Sequence, residues 1–292
     1  MLSLHTNAAS LSAQNSLSST QNKLSTSMTR LSTGFRINSA MDDAAGLQIA
    51  TRLKAQTSGM AVAMRNTQNS ISMLQTAEGA LDEVTNILTR MKDLATQSAD
   101  ASSSTADQTA MQAEYDSLTD ELNNIFGNTK FGGTALLSTT GKLATGTLTF
   151  QIGSDTGEKM VADFQTALNT DVIGKITTAA TGFTGASGAA AAAGSEINAT
   201  NANASINKLS DAINGVSALR SKIGAVSNRL DHVYNNLSNI STNTQNATGR
   251  IMDVDFASES AKMTSNQMLM QAGTAMLKQT NSMSSMVMSL LQ

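Results

Sequence analysis

Proline, cysteine and tryptophan are absent from this chain of 292 residues, and aromatic residues make up only 3% of it. Proline averages roughly 5% of residues elsewhere, so its absence carries information. It breaks helix interiors, and a chain without it is free to form long unbroken helices. Lack of cysteine excludes a disulfide framework and thiolate metal sites. The shortage of aromatics argues against one thick globular core, because large rings normally dominate such cores. The net charge of −3 leaves no basic footprint for nucleic acid. The opening residues, MLSLHTNAASLSAQNSLSSTQN, lack the basic and continuously apolar regions of a secretory signal. A spanning helix needs ~20 mainly apolar residues. The apolar C-terminal stretch is broken by Gln271, Thr274, Lys278, Gln279 and Thr280. The expectation is no membrane span and, for export, a route other than a cleaved signal.

Catalytic equipment is scarce too. An enzyme needs a positioned acid, base, nucleophile or metal. His5 and His232 are the only histidines, and no HExxH helix or GxxxxGK[ST] loop occurs. Asp42 and Asp43 form a carboxylate pair, but their place before an apolar-periodic run suits helix capping better. Asn198-Ala-Thr, Asn236-Leu-Ser and Asn246-Ala-Thr match a glycosylation acceptor pattern that arises readily by chance in a chain rich in Asn, Ser and Thr. The expectation is a non-enzyme with no cofactor and no metal.

What the chain does have is heptad periodicity. Leu209, Val216, Ile223, Leu230 and Leu237 form one row; Ala212, Leu219, Val226, Val233 and Ile240 form a second. Together they make an a/d seam about five heptads long, a coiled-coil signal. Its natural partner is the helical stretch 44–99, where Leu74, Leu81 and Leu88 repeat by seven. At the N-terminus Leu17, Leu24 and Leu31 are spaced by seven around Met28, after an earlier row of Leu4 and Leu11. At the C-terminus Leu269, Met276, Met283 and Leu290 repeat likewise, widened by Met263, Met270, Leu277 and Met286. Gly34 is a helix stop. A shorter helix carries Tyr115, Leu118, Leu122 and Ile125 on one face. FGNTKFGG (126–133) is turn chemistry, and alternation over Leu148, Phe150 and Ile152 followed by GSDTG predicts a β-hairpin. Residues 177–205, rich in Ala, Gly, Thr and Asn, have too little apolar bulk to fold alone and read as an exposed connection.

The predicted fold is therefore mainly α. Long antiparallel coiled-coil helices carry a small β-hairpin region, and the terminal helices pair as an inner coiled coil. Residues 1–43 with 254–292 are expected as a discontinuous terminal-helix domain. Residues 44–253 are expected as a rod-like domain with hairpins and a low-complexity tip near 177–205.

Two segments carry a family resemblance. LSTGFRINSAMDDAAGLQIATRL (31–53) and RIMDVDFASESAKMTSNQMLMQAGTAMLKQTNS (250–282) resemble the N- and C-terminal motifs of bacterial flagellins. Gln48 and Ser284 depart from the usual residues without breaking the helical pattern. The resemblance spans roughly residues 1–170 and 205–292, and it implies a short form without the outer variable domains. A flagellin would be a secreted, extracellular subunit that polymerises with itself into the filament used for swimming. It would be exported unfolded through a type III route, meeting an export chaperone and apparatus, then filament cap and hook-junction proteins. Terminal residues Leu4, Leu11, Leu17, Leu24, Met28, Leu31, Leu269, Met276, Leu277, Met283 and Leu290 would pack the filament core. LTRMKDLATQSA (88–99) is similar to the flagellin stretch recognised by host Toll-like receptor 5, which implies contacts by Arg90, Leu94 and Glu114. Two alternatives are a hook–filament junction protein, which shares related terminal helices, and an exported adhesin or enzyme on a coiled-coil stalk. The second needs a folded central domain, for which 163–205 is too short and too simple.

Overall fold

The computed structural model describes residues 7–186, 194–198 and 200–290, with 284–290 as helical backbone only. Among the described residues six α-helices carry most of the chain: α1 (Ala8–Thr33), α2 (Ala44–Ser98), α3 (Thr105–Asn128), α4 (Gly174–Ala179), α5 (Ala202–Met252) and α6 (Phe256–Leu290). Their ends follow local chemistry. The Asn7 side chain accepts from the Ser10 amide at 3.1 Å and starts α1. Gly34 ends it in the left-handed region at φ 76°, where its lack of a Cβ matters. Asp43 accepts from the Gly46 amide at 2.9 Å and opens α2, as its position suggested. Ser104 and Asp107 form a capping box at the start of α3.

Two small antiparallel hairpins follow α3. β1 (Lys130–Phe131) and β2 (Thr134–Ala135) flank Gly132 and Gly133, both at positive φ, as a two-residue hairpin turn demands. β3 (Thr147–Gln151) pairs with β4 (Lys159–Asp163) in the predicted place, with Phe150 opposite Met160 and both buried. A π-helical stretch, Ala167–Ile173, then leads directly into α4.

The chain divides into two compact units, 1–57 with 242–292, and 58–241. The second unit holds one hydrophobic core. From α2 come Leu74, Leu81 and Leu88; from α5, Leu209, Val216, Leu219, Ile223 and Leu230; from α3, Tyr115, Leu122 and Phe126. Burying a Leu or Phe stabilises by roughly 1.5–3 kcal/mol, so these rows hold the unit together. α2 and α5 run antiparallel, bridged by Asp82 and Arg220 at 2.9 Å. Ile240, at the end of the second predicted row, is exposed. A lesser cluster of Met60, Ala63 and Leu237 continues the seam.

The segment 177–205 departs from its expected exposure. Ala179, Ala180, Phe183 and Ile197 are buried within the core of the second unit. The apolar bulk that the segment lacks is supplied by α3. Phe183 meets Phe126 edge-on, with ring centres 5.1 Å apart. Polar anchors complete the attachment. The Tyr115 hydroxyl donates to the Ala179 carbonyl at 2.9 Å, and the Asn123 amide donates to the Gly182 carbonyl at 3.1 Å. The described flanks of this low-complexity segment are thus folded through their partners, and its residues 187–193 and 199 lie outside the described residues.

Candidate assembly surface

In the first unit α1 and α6 lie side by side, antiparallel, with Ser10 against Asn281 and Ser27 against Glu259. Which residues face inward follows from exposure. On α1 the less exposed positions are Ser10, Ala13, Leu17, Thr20, Leu24, Ser27 and Leu31, with Arg30 beside the last; on α6 they are Glu259, Met263, Asn266, Met270, Gly273, Leu277 and Thr280. Both runs step by three and four residues, the spacing of a coiled-coil seam. The seam is half polar. On α6 one row reads Glu259, Asn266, Gly273 and Thr280, and hydropathy alone gives it no signal. It was legible only as a row of small and polar residues three or four positions from Met263, Met270 and Leu277. Gly273 allows close approach, since a Cβ there would stand 3.3 Å from Leu17 Cδ1.

The sequence-predicted packing residues therefore fall into two sets. Leu17, Leu24, Leu31 and Leu277 turn into the intrachain seam. Leu11, Met28, Leu269, Met276 and Met283 are exposed. The seven-spaced row of Leu269, Met276 and Met283 thus runs along a face of α6 that α1 does not cover. Beside it, Ala257, Ala261, Thr264, Met268, Leu269 and Ala272 line a shallow groove. Leu4 lies outside the described residues, as does the side chain of Leu290.

Polar groups gather at the foot of the pair. Glu259 is buried, accepts from the Ser27 hydroxyl at 2.6 Å and approaches Lys262 Nζ at 3.5 Å. Arg30 pairs with Asp42 at 3.3 Å, while its Nε is buried without a hydrogen-bond partner. Backbone amides of Ser39 and Asn38 donate to Asp42 and hold its carboxyl below the usual carboxylate range. The segment after α1 pairs here with the segment before α6. Arg36 N–H donates to the Met252 carbonyl at 2.6 Å, Val254 N–H donates to the Gly34 carbonyl at 3.0 Å, and Phe35 bridges Asp253. Among the described residues no three His, Asp or Glu side chains could hold a metal, and no helix is long and apolar enough to cross a membrane.

The second candidate set lies on α2 and α3. Arg90 Nη2 and Glu114 Oε1 form an ion pair at 2.7 Å, and both side chains are about half exposed. Exposed pairs of this kind contribute little to stability, about 0–1 kcal/mol. Leu94, by contrast, is 2% exposed and belongs to the core. The structure brings Arg90 and Glu114 together and places Leu94 beneath the surface that they occupy.

Residues 4–142 match the bacterial flagellin N-terminal helical region, and residues 206–291 match the bacterial flagellin C-terminal helical region. Flagellin C of Vibrio cholerae is 39% identical over 183 residues, covering 62% of this chain and 48% of the relative. Polar flagellin F of Vibrio parahaemolyticus is 41% identical over 170 residues, covering 58% and 44%. The chain thus spans about half the length of the curated relatives it matches. Among solved structures, a putative flagellar hook-associated protein from Vibrio parahaemolyticus aligns with a TM-score of 0.57 at 20% identity, over 73% of this chain and 100% of that one. That likeness concerns the fold alone.

Proposed function

The chain belongs to the bacterial flagellin family, a family of structural proteins, and from that premise we propose that it is a subunit that polymerises into the extracellular flagellar filament. The observation that carries the reading is the uncovered apolar row on α6. Leu269, Met276 and Met283 are exposed at heptad spacing on a helix whose other face is already occupied by α1. A seam exposed on a subunit calls for a second copy of that subunit. Leu11 and Met28 on α1 are exposed as well. Contacts between unlike patches that do not close on themselves generate helical filaments. In this proposal residues 1–43 and 254–292 line the filament core, while 44–253 form the body outside it. Leu17, Leu24, Leu31 and Leu277 hold the terminal pair together, and the exposed set joins neighbouring subunits. Leu4 and Leu290 belong to the same proposal on sequence grounds.

Family membership supports the remaining steps. The chain is exported unfolded by a type III route with a chaperone, and is added beneath a filament cap onto hook-junction proteins. A chain with no cysteine has no disulfide to break before threading. Host Toll-like receptor 5 is a candidate partner through the exposed pair of Arg90 and Glu114. Leu94 would act there by supporting α2 from within the core. Arg90→Ala and Glu114→Ala chains should each lose receptor signalling while still folding; unchanged signalling removes those residues from the recognition surface.

Polymerisation tests the main reading. Purified chain is seeded with short filaments or treated with a precipitating salt, then pelleted and imaged, beside a version lacking 1–41 and 254–292. Long uniform filaments from the full chain alone are expected. A full chain that stays monomeric under all conditions would sink the subunit reading.

A further inference from the structure

The methionines of this chain separate by unit. Among the described residues, Met60, Met73, Met91, Met111 and Met160 are buried, and all five lie within 58–241. Met28, Met41, Met268, Met276 and Met283 are exposed, and all five lie in the terminal unit. Three of these stand on α6 beside or within the uncovered row: Met268 at 62% exposure, Met276 at 64% and Met283 at 55%. With no cysteine in the chain, thioether sulfur is its only sulfur, and among the described helical residues the two most exposed methionines, Met268 and Met276, lie on this face.

We propose that Met268, Met276 and Met283 form an oxidation site that switches off self-assembly of the free chain, with hydrogen peroxide as oxidant; the inference rests on the assembly reading above. The chemistry is closed. The thioether sulfur attacks one peroxide oxygen, an S–O bond forms and the O–O bond breaks. Sulfur gives up two electrons, and the departing oxygen keeps its hydrogen and takes a proton, leaving as water. The product, methionine sulfoxide, is polar and accepts hydrogen bonds, so it spoils an apolar contact surface. Three sulfoxides along about fifteen residues of α6 place that polarity on the face that a neighbouring copy must cover. In the polymer the same sulfurs are shielded by the neighbour, so oxidation acts before assembly and not after it. Methionine sulfoxide is reducible by dedicated reductases, which makes the switch reversible.

The test uses the purified full chain. It is incubated with hydrogen peroxide, mapped by peptide mass spectrometry, then seeded and pelleted. Sulfoxide should accumulate at 268, 276 and 283 at least tenfold faster than at the five buried methionines. Pelleted polymer should fall at least tenfold and return after treatment with sulfoxide reductases. A Met268→Leu, Met276→Leu, Met283→Leu chain should keep polymerising after the same exposure. Met41→Leu should give no protection, although Met41 is 96% exposed. In preformed filaments the three positions should oxidise at least tenfold more slowly than in the free chain. Full conversion at the three positions with undiminished polymerisation overturns the proposal, and so does equal oxidation in free chain and filament. If the triple leucine chain fails to polymerise untreated, reductase rescue and filament protection decide the matter. Untreated parent chain that never polymerises removes the assembly reading itself, and this inference with it.

Discussion

Asn123 is the residue on which the far end of the second unit turns. It is 1% exposed on α3, donates to the Gly182 carbonyl at 3.1 Å and accepts from the Thr184 amide at 3.0 Å and the Gly185 amide at 3.3 Å. One side chain thus satisfies three backbone groups of a segment with no regular structure of its own. Leaving buried backbone groups unpaired costs about 1–3 kcal/mol each. With Gly182 and Gly185 buried and Thr184 exposed, Asn123→Ala should therefore lower the urea midpoint of the second unit by an amount equivalent to about 2–6 kcal/mol with the m-value unchanged. A midpoint equal to the parent's would mean that Asn123 contributes nothing to holding the loop. Glu196 is the acidic counterpart. Burial opposes its ionisation, but hydrogen bonds from Thr181 and Gln112 outweigh burial and hold its carboxyl below the ordinary value of 4.5. A folded-state pKa below the unfolded one means that the ionised carboxylate stabilises the fold. That stabilisation is full above pH 4.5 and is lost as pH falls through the lowered folded value. The difference in urea midpoint between parent and Glu196→Gln should be constant near neutrality and shrink below pH 4.5. A difference that persists unchanged into strong acid would show that charge at Glu196 contributes nothing.

Two glycines of α5 give opposite expectations at the scale of the element. A Cβ at Gly215 would collide with the backbone carbonyl of Asp171, in the π-helical stretch packed against α5, whereas a Cβ at Gly224 would meet nothing within 4 Å. Ala is favoured over Gly inside a helix by roughly 1 kcal/mol, and forcing atoms into a filled site costs about 1–3 kcal/mol. Gly224→Ala should raise the melting temperature and Gly215→Ala should lower it; a rise in both would show that α5 and the π-helical stretch can separate freely. The same elements show what was legible beforehand. α2, and the start of α5, could be placed to within a few residues because their seams repeat large apolar residues over many turns, as in Leu209 to Leu237, whereas α5 continues past the last seam position, Ile240, to Met252. The β3–β4 hairpin was legible through alternation and a glycine-flanked turn. Which face of α6 turns inward was not legible. Hydropathy singles out Leu269, Met276 and Met283, yet the row facing α1 includes Glu259, Asn266, Gly273 and Thr280, whose use there depends on close approach and on the Ser27 hydroxyl. Nor was the burial of Phe183 and Ile197, because it depends on α3, some sixty or more residues away in the chain. Local pattern reports what a segment contributes, not what it is lent.

The two units of the whole molecule rest on different physics. The second unit has a continuous apolar core, whereas among the described residues of the terminal unit only Ile37 and Ala50 are buried hydrophobics, joined by the polar Ser27 and Glu259. A pair of helices meeting through a half-polar seam has little area with which to offset the entropy of ordering about 1–2 kcal/mol per residue. Such a unit opens at low cost, and opened segments are where proteases cut. In the free chain, trypsin should therefore cleave at Lys23, Arg30, Lys262 and Lys278 well before Arg90, Lys175 or Arg220, leaving a resistant body within 58–241. Cleavage rate follows the population of the open state when opening is fast. Covering the exposed row of α6 with neighbouring copies should suppress that population. Assembled polymer should accordingly resist trypsin at the terminal sites at least tenfold longer than free chain, with gel and mass spectrometry following each cut. Terminal sites as resistant as Arg220 in the free chain would mean that the helix pair is stable unaided. The exposed row would then no longer be needed to complete the terminal unit, and the case for assembly would have to rest on family membership without it.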